Sequence, residues 1–504
     1  MAVMTTAIVI TVGSLWLFYT MEDSRGAHEW EAAKDRLRAA GEVTDFSDLI
    51  PPEIPDERNL AAIPLFRVDI AKDTESPELG NLNRMMAHIE PDFDSMPKVG
   101  LLFKGQKTDF GPVEDYLAKR YEKVEGHPPD KLDALAQFDA LCQELTDLRQ
   151  AALVRPQCRF PRDYVSMPPF NRPYGTTTVL LKLFKVINLH ALVALHENRP
   201  DMALGDIEAA IKISDALRRE PILISGLVGI GGMAIMDQSI WEGLVSHAWT
   251  DQQLDELQKQ LQGGDFLSDY QLCLRGEATG QMAPMLDYFR DHRQLRSVIA
   301  LAHDDDSSSR PDSAIAHLLA WLVPNGWFDL AKVRGLSIYF QAAREVMSDK
   351  DHRVYPEKSD QLAQKGKSGI YFYDMPDVLV GLACGPVINS AGPFATGQFR
   401  IDAIITACAL ERYRLAHGSY PASLDELGAV EAGGVPHDIM SGDAYHYALP
   451  DHGSYLLYSV GWNQVDDGGK IIYKADNPNA QDWKKGDWVW PGPPEPKTPA
   501  VILK

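Results

Sequence analysis

The stretch VLLKLFKVINLHALVALHENRPDMALGDIEAAIKISDALRR, residues 179–219, decides the fold class of this chain. Aliphatic residues recur at steps of three and four on both sides of Asn198-Arg199-Pro200-Asp201. This spacing gives each half one apolar helix face, and a proline inside such a pattern interrupts the helix. We therefore predict an antiparallel helix pair over 178–220, with Asp201 as a cap and Pro221 at the end. The apolar positions expected to meet in its interface are Leu192, Leu195, Ala203, Ile207 and Ala210.

The same spacing continues through most of residues 111–350, which we interpret as a helical body. The hairpin resembles a single tetratricopeptide-type repeat, because Ala203 and Ala210 stand where its two helices would approach closely. No second copy follows at a fixed period, so the sequence favours irregular helical hairpins over a regular solenoid. His190 and His196 are six residues apart and do not share a helix face. We expect packed or solvent-facing histidines there rather than metal ligands.

An uncharged segment at residues 2–21 contains the apolar string AIVITVGSLWLFY. About twenty helical residues span the hydrocarbon core of a bilayer, and Trp16 and Tyr19 suit its interface. We predict a transmembrane helix over 3–20 that is detached from the globular part. A cleavable signal peptide and a buried helix are the alternatives, but the segment lacks the basic start and small-residue cleavage site of a signal peptide. The slightly acidic flank that follows favours a body on the extracytoplasmic, periplasmic side.

Composition limits the function classes. The chain has 504 residues, of which 45% are hydrophobic and 24% charged, and its net charge is −22. Such a chain is globular, is expected to form about three domains, and lacks the clustered positive charge that nucleic-acid binding requires. Five scattered cysteines show no zinc spacing, and we expect buried free thiols. A Cys142–Cys158 disulfide stays open as an alternative.

Proline and polar clusters divide the chain further. We expect an extended strap after a juxtamembrane helix over 28–48, with Leu60, Ile63, Leu65 and Phe66 packed on the body. The strings at 303–313 and 348–369 are interpreted as solvated loops. The expected divisions are 1–21 (transmembrane anchor), 22–110 (juxtamembrane helix and strap), 111–350 (helical body), 351–393 (linker), 394–490 (C-terminal α+β module) and 491–504 (proline-rich tail).

A second apolar run, PILISGLVGIGGMAIM at 221–236, is only sixteen residues long and rich in glycine and serine. It is shorter than a typical membrane span, so we predict a buried helix. Its glycines do not match the G-x-G-x-x-G fingerprint of dinucleotide-binding proteins, and we attribute them to close helix packing.

The C-terminal part has a different pattern. Residues 394–417 form an amphipathic pattern that Gly418 should end, as expected of a helix with a C-terminal glycine. The strand-like runs 445–449 and 454–460 flank a Pro-Asp-His-Gly turn, which predicts a β-hairpin. A helix packed on an antiparallel sheet is therefore expected over 394–490.

This region resembles the globular part of the type II secretion major pseudopilins. The resemblance is carried by ALERYRLAHGSYPASLDEL (409–427), Val435-Pro436 with Asp438, LLYSVG (456–461), DDGG (466–469) and Asp482-Trp483. No G-F-T-L-x-E signal is present, and the pilin-like helix lies far along the chain from the anchor. The resemblance therefore implies a fold, and an ion, rather than assembly into a fibre.

In that family the loop after the Y-S-x-G strand binds calcium. Carried over to this chain, the resemblance implies a calcium site at Asp466, Asp467, Asp476 and Asp482, with Asn463 where the family usually has aspartate. Calcium binds six to eight oxygens, which carboxylates, amides and backbone carbonyls supply. The alternative is an Asp- and Gly-rich turn held by backbone hydrogen bonds.

Two functions remain open at this level. The first is a membrane-tethered binding or scaffold protein of the cell envelope, with a protein partner and the bilayer as its contacts. The second is an envelope enzyme, hydrolase-like, with its site in the helical body. No G-x-S-x-G or H-E-x-x-H string supports the second, and no catalytic residue is assigned. A deep pocket with converging titratable groups favours an enzyme, whereas a broad groove with apolar walls favours binding.

Overall fold

α-Helices make up most of the protein, and one continuous apolar core joins them to the C-terminal strands. The computed structural model describes residues 2–66, 80–89, 96–129, 131–164, 175–292, 323–368, 376–377, 379–380, 390–429, 434–450 and 453–493. The predicted mainly helical chain with an apolar N-terminal helix is confirmed. The loop predicted at 303–313 lies outside the described residues.

The helices and strands follow one another in this order. The helices are α1 (Ala2–Ala39), α2 (Gly80–Ile89), α3 (Phe110–Glu125), α4 (Ala134–Leu141), α5 (Gln143–Val154), α6 (Gly175–His196), α7 (Pro200–Arg218), α8 (Leu223–Val245), α9 (Asp251–Leu261), α10 (Phe266–Gly276), α11 (Ala283–His292), α12 (Asn325–Glu345), α13 (Pro356–Ser368) and α14 (Ala391–His417). A π-helical stretch, Glu277–Met282, joins α10 to α11. The strands are β1 (Met347–Ser348), β2 (Arg353–Val354), β3 (His446–Ala448), β4 (Leu456–Ser459), β5 (Ile471–Tyr473), β6 (Gln481–Gly486) and β7 (Trp488–Pro491).

The helix pair that the sequence predicts is α6 with α7. Asn198 has a positive φ of 56°, and α7 begins at Pro200, so the turn falls where the pattern places it. Four of the five expected interface residues are fully buried, and Leu195 is half-buried. The prediction of Asp201 as the cap is wrong. Arg199 holds the cap position, while Asp201 lies in the first turn, where a carboxylate favours the positive end of the helix dipole.

α8 confirms the prediction of a buried helix at the second apolar run. A Cβ atom on Gly232 would overlap the ring of Phe184 on α6, and one on Gly226 would meet Cys273 on α10. These glycines therefore serve close helix packing. By length and composition alone, the described residues include three helices able to cross a membrane, within α1, α6 and α8. The windows in α6 and α8 are 67% and 72% buried in the protein, whereas that in α1 is 0% buried.

α1 is one continuous helix of 38 residues, longer than the predicted anchor. Its large apolar side chains from Met4 to Met21 are exposed, and its second half packs on α12. Asp23 Oδ1 accepts a hydrogen bond from the Gly326 amide at 2.9 Å, and Glu22 Oε2 accepts one from Trp327 Nε1 at 3.0 Å. The helix expected over 28–48 is confirmed for 28–39, where it is the second half of α1; beyond Ala39 the prediction is wrong, and only a 3-10 turn lies at Phe46–Leu49.

Two connecting segments are more ordered than the sequence suggests. The strap packs its four expected apolar residues on the body, but it is not extended throughout: 3-10 turns lie at Leu60–Ala62 and Pro64–Phe66. The loop predicted at 348–369 is wrong, because β1 and β2 pair there and α13 follows. Pro356 begins α13, and proline suits the first position of a helix.

α14 lies between the body and the C-terminal sheet. It ends at Gly418, whose φ is 83°, as predicted. On one side it packs on the antiparallel sheet β3-β4-β7, which contains the predicted hairpin. On the other side, the Gln258 side chain donates to the Ile405 carbonyl at 3.0 Å, and the Phe266 amide donates to the Gln398 side chain at 2.8 Å. α14 therefore joins the helical body to the C-terminal sheet within the one apolar core.

The thiols of Cys142, Cys158 and Cys273 are free, so the alternative of a Cys142–Cys158 disulfide is not realised. Cys142 and Cys273 are fully buried, and burial raises the pKa of both thiols. A buried thiol with a raised pKa stays protonated and unreactive at neutral pH. These cysteines are structural, as expected from the sequence.

The docking of α1 can be tested with two glycines of that helix. A Cβ atom on Gly26 would overlap the backbone oxygen of Gly326, whereas Gly13 has no atom within 4 Å of the same position. We expect Gly26→Ala to destabilise the packing of α1 on α12 by roughly 1–3 kcal/mol. Gly13→Ala should be neutral or stabilising by up to about 1 kcal/mol. The measurements are thermal unfolding of the detergent-solubilised full chain and the rate of limited proteolysis after Ala39. Equal unfolding temperatures and equal proteolysis rates for the two variants would contradict the docking of α1 on α12.

Candidate functional site

A cleft of about 760 Å³ lies where α9, α14, the β1–β2 hairpin and the segment before β3 meet. Several titratable side chains line it: Asp351, His352, Arg353, Asp402, His437 and Asp443. In a protein interior such groups are dispersed or paired, so their convergence in one concave site is characteristic of a binding or active site.

Asp402 is the fixed acidic group of the cleft. It lies on α14 and is only 3% exposed. Its Oδ1 accepts a hydrogen bond from Gln398 at 2.8 Å, and its Oδ2 accepts one from the Tyr445 hydroxyl at 2.9 Å. These two neutral donors hold the carboxylate in one orientation without cancelling its charge.

His352 faces this carboxylate from the β1–β2 connection. Its Nε2 lies 3.9 Å from Asp402 Oδ2, and its side chain is 42% exposed. Its φ of 47° is in the left-handed region, which is uncommon outside glycine and often marks a functional position. The facing carboxylate of Asp402 raises the pKa of His352, and the negative charge of Asp265 adds to this against the opposing effect of burial.

Arg353 forms the adjoining wall. Its Nη2 donates to the Met440 carbonyl at 3.0 Å, while its buried Nε has no hydrogen-bond partner within the described part of the chain. The loop around Met440 is held by Asp438, which accepts hydrogen bonds from the Met440 amide at 2.9 Å and the Ser459 hydroxyl at 2.7 Å. The Val-Pro-x-Asp element thus shapes the cleft through its buried carboxylate.

This arrangement can bind a ligand that offers hydrogen-bond acceptors, and it can move a proton through the imidazole of His352. A carboxylate facing a histidine favours the charged imidazole. The cleft was not predicted, since the sequence placed no site at 351–353 or 402. The separation of 50 residues between His352 and Asp402 leaves no local motif to recognise.

The five residues of the expected calcium site are divided between two parts of the C-terminal region. Asn463 donates to Asp467 at 3.0 Å, and Asp466 in the same loop accepts hydrogen bonds from the Gly468 amide at 2.9 Å and the Tyr458 hydroxyl at 3.1 Å. These three therefore share one loop. Their contacts with each other and with the backbone are the ones expected of a turn.

The other two expected ligands lie elsewhere in the same region. Asp482 lies on β6 and forms an ion pair with Lys485 at 3.2 Å, while Asp476 lies in the exposed bend before that strand. No group of three or more His, Cys, Asp or Glu side chains is arranged to hold a metal ion within the described ranges. Calcium binding stays a prediction of the resemblance.

Asp487 organises this loop, and the sequence analysis missed it. Its carboxylate is fully buried and accepts hydrogen bonds from the amides of Asp467 at 3.1 Å, Gly469 at 2.7 Å and Lys470 at 3.3 Å. Burial raises the pKa of Asp487. The Gly-Asp-Trp string at 486–488, directly before a strand, is the only sequence signal for this role.

A second missed cluster lies inside the helical body. His190 is fully buried, with Nδ1 2.6 Å from Asp206 Oδ2 and Nε2 3.2 Å from Asp139 Oδ1. Arg149 donates to Asp206 at 3.0 Å and completes the charge balance. The prediction of packed or solvent-facing histidines is confirmed, since His196 is part-exposed and stacks on Phe110.

Comparison with known protein families, curated proteins and solved structures finds no match to this chain.

The His352–Asp402 pair predicts a pH-dependent stability. Because the folded protein raises the pKa of His352 above its unfolded value near 6.5, the stabilisation is fully present below about pH 6.5 and is lost as pH rises through the folded pKa. We expect His352→Asn and Asp402→Asn each to lower the unfolding free energy more at pH 6 than at pH 9. The control is His417→Asn, since His417 contacts the Tyr413 carbonyl rather than a carboxylate. Equal decreases in the unfolding free energy at pH 6 and pH 9 would contradict the interaction between His352 and Asp402.

The calcium prediction is tested on the full-length chain, because α14 is shared with the body and the C-terminal region is not separable from it. If the resemblance holds, calcium at 100 times its Kd should raise the unfolding free energy by about 2.7 kcal/mol relative to chelator. The double variant Asp466→Asn/Asp467→Asn should abolish this gain, and Asp425→Asn should not. If a calorimetric titration with calcium shows no heat and the Tm does not change, the calcium prediction is contradicted and the loop is only an Asp- and Gly-rich turn.

Proposed function

We propose that the protein is a membrane-tethered binding or scaffold protein of the cell envelope, anchored through residues 3–20 with its body on the periplasmic side. The observation that carries this proposal is α1, whose first half exposes its apolar side chains while its second half is docked on the body.

The exposed half of α1 is costly in water. Its large apolar side chains are between 44% and 71% exposed: Met4, Ile8, Val9, Ile10, Val12, Leu15, Trp16, Leu17, Phe18 and Met21. Transfer of each such side chain out of water is worth about 1.5–3 kcal/mol. A bilayer supplies that environment, and beyond its first turn the continuous helix pairs its backbone groups internally, as a spanning segment must.

The docked half makes the tether rigid. Glu22 and Asp23 bind the start of α12 within one or two turns of the exposed apolar run. Phe18 also contacts Trp327 edge to face, with ring centroids 6.4 Å apart. Since α1 is unbroken through this contact, the body and its cleft are held at a fixed height and orientation to the membrane. A scaffold or receptor for an envelope partner benefits from this.

The C-terminal region is proposed to be a pseudopilin-like module in this setting. In support, α14 packs on the antiparallel β3-β4-β7 sheet, and Asp438 of the Val-Pro-x-Asp element holds the loop beside the Y-S-x-G strand. The module then serves recognition rather than fibre assembly, since α14 is covered by α8, α9 and α10 on its other side.

A second candidate function is an envelope hydrolase, now favoured by the cleft rather than by the helical body. The specific observation is the His352–Asp402 pair, which places an imidazole beside a fixed carboxylate in a cleft lined by titratable groups. Binding is the first proposal because the imidazole and the carboxylate are 3.9 Å apart, beyond the hydrogen-bonding distance of a general base and its partner.

Membrane tethering is tested in cells that express the full chain, the deletion of residues 2–20, or Gly13→Ala as an unaltered-anchor control. The full chain and the control should stay in the membrane pellet after alkaline carbonate and dissolve only in detergent. The deletion should be released. In spheroplasts, added protease should degrade the body without lysis. Carbonate release of the full chain contradicts the anchor, and protection from protease contradicts the sidedness.

The binding role is tested by affinity capture of the detergent-solubilised full chain and its Asp402→Asn variant. A partner held at the cleft should be captured by the former and reduced about tenfold with the latter, since a charged hydrogen-bonding group is worth about 1.5–3 kcal/mol. Turnover of a nitrophenyl ester that is lost in His352→Asn, without any captured partner, would favour the hydrolase.

A further inference from the structure

A second concave surface lies away from the cleft, in the helical body. It is a groove of about 810 Å³ between α5 and the first turns of α7 and α9. Apolar side chains from α5 and α7, including Leu153, Met202 and Leu204, form much of its lining. We call this surface the α5–α7–α9 groove.

Three carboxylates border the groove, and each is bound by a neutral side chain. Asp201 accepts a hydrogen bond from Gln253 at 2.5 Å. Glu208 accepts one from Gln260 at 2.6 Å, and Glu256 accepts one from Gln252 at 3.0 Å. A glutamine amide satisfies hydrogen bonding but leaves the negative charge uncancelled.

Two cations lie near the three carboxylates, and one of them also acts on Glu208. Arg149 lines the groove but donates to Asp139 and Asp206. Lys212 donates to the Ala152 carbonyl. Burial raises the pKa of Glu208 against the opposing effects of the Gln260 hydrogen bond and the charge of Lys212. Within the described part of the chain, the groove therefore carries surplus negative charge in a partly desolvated setting.

An exposed aliphatic pair stands at one end of this groove. Leu153 and Val154, the last residues of α5, are 76% and 73% exposed, more than any other large apolar side chain described outside α1. Leu153 itself lines the groove. Exposed apolar side chains beside a concave surface are a common feature of protein-binding sites.

We propose that the α5–α7–α9 groove binds a peptide segment of a partner protein in which a lysine or arginine neighbours a bulky aliphatic residue. The cation pairs with Glu208 and Glu256, and the aliphatic residue covers Leu153 and Leu204. This inference rests on the proposed binding function and names the chemistry of its partner. Charge complementarity selects this occupant, since an acidic or purely apolar segment leaves the carboxylates unpaired.

The test uses the full chain in nanodiscs of phosphatidylcholine, with empty nanodiscs as the blank. The probe is a fluorescein-labelled hexapeptide of alternating leucine and arginine, and its twin carries glutamate in place of arginine. Fluorescence anisotropy should show saturable binding of the arginine peptide only. Raising the salt from 50 to 500 mM should weaken it, because the contact is ionic.

Matched variants locate the binding. Glu208→Gln/Glu256→Gln should weaken binding of the arginine peptide by about a hundredfold, since it removes two charged pairs and each is worth about one decade of Kd. Its control is Glu345→Gln, because Glu345 is exposed and accepts the same type of hydrogen bond from Gln341 on α12. Leu153→Asn should also weaken binding, and Leu415→Asn, another exposed leucine, should not.

Equal binding of the two peptides, or equal effects of the groove and control variants, overturns the proposal. Circular dichroism melting of each variant separates lost binding from lost folding. The peptide measurement does not depend on the membrane anchor. Release of the full chain by carbonate would contradict the anchor and would not affect the result of the peptide titration. If the protein stays in the membrane but does not bind the arginine peptide, only the proposal that the groove binds a basic segment is contradicted.

Discussion

Burial of α14 on both of its sides is the interaction on which the rest of the structure depends. Gly397 of this helix lies against the ring of Phe266, where a Cβ atom would fall 2.9 Å from the ring. On the opposite side Phe399 contacts Trp488 and Tyr445 of the sheet region, with ring centroids 5.9 Å apart in both pairs. A helix buried all round must be apolar over most of its surface, and α14 is. Its few polar groups are consequently paired, and Asp402 among them becomes the fixed acid of the cleft.

The two concave surfaces differ in chemistry. The cleft holds a histidine and an arginine against an oriented carboxylate, so it can exchange a proton and bind acceptor groups. The α5–α7–α9 groove combines aliphatic walls with carboxylates that only glutamines satisfy. One suits a small polar ligand or a polar loop, and the other suits a basic segment. Both surfaces belong to the body on which the second half of α1 is docked.

Buried carboxylates recur as organising groups. Asp487 and Asp438 each collect amide or hydroxyl hydrogen bonds and thereby fix a loop. Asp206 does the same for His190 and Arg149 within the body. Burying a charge is costly unless hydrogen bonds compensate it, so each of these sites fixes a single local geometry. In the C-terminal loop, the buried carboxylate of Asp487 accepts hydrogen bonds from backbone amides. The side chains expected as calcium ligands lie in that loop or farther along the chain.

The sequence by itself determined the elements whose signal is local. Aliphatic spacing and Pro200 defined α6 and α7, the uncharged run defined the exposed part of α1, and Gly418 marked the end of α14. Only the tertiary structure decided what these elements contact. The α1–α12 docking depends on Gly26 meeting Gly326, and the His352–Asp402 pair joins a hairpin to a distant helix. Periodicity reports which face of a segment is apolar but not which partner covers it. Contacts between residues far apart in the chain therefore leave no local pattern to recognise.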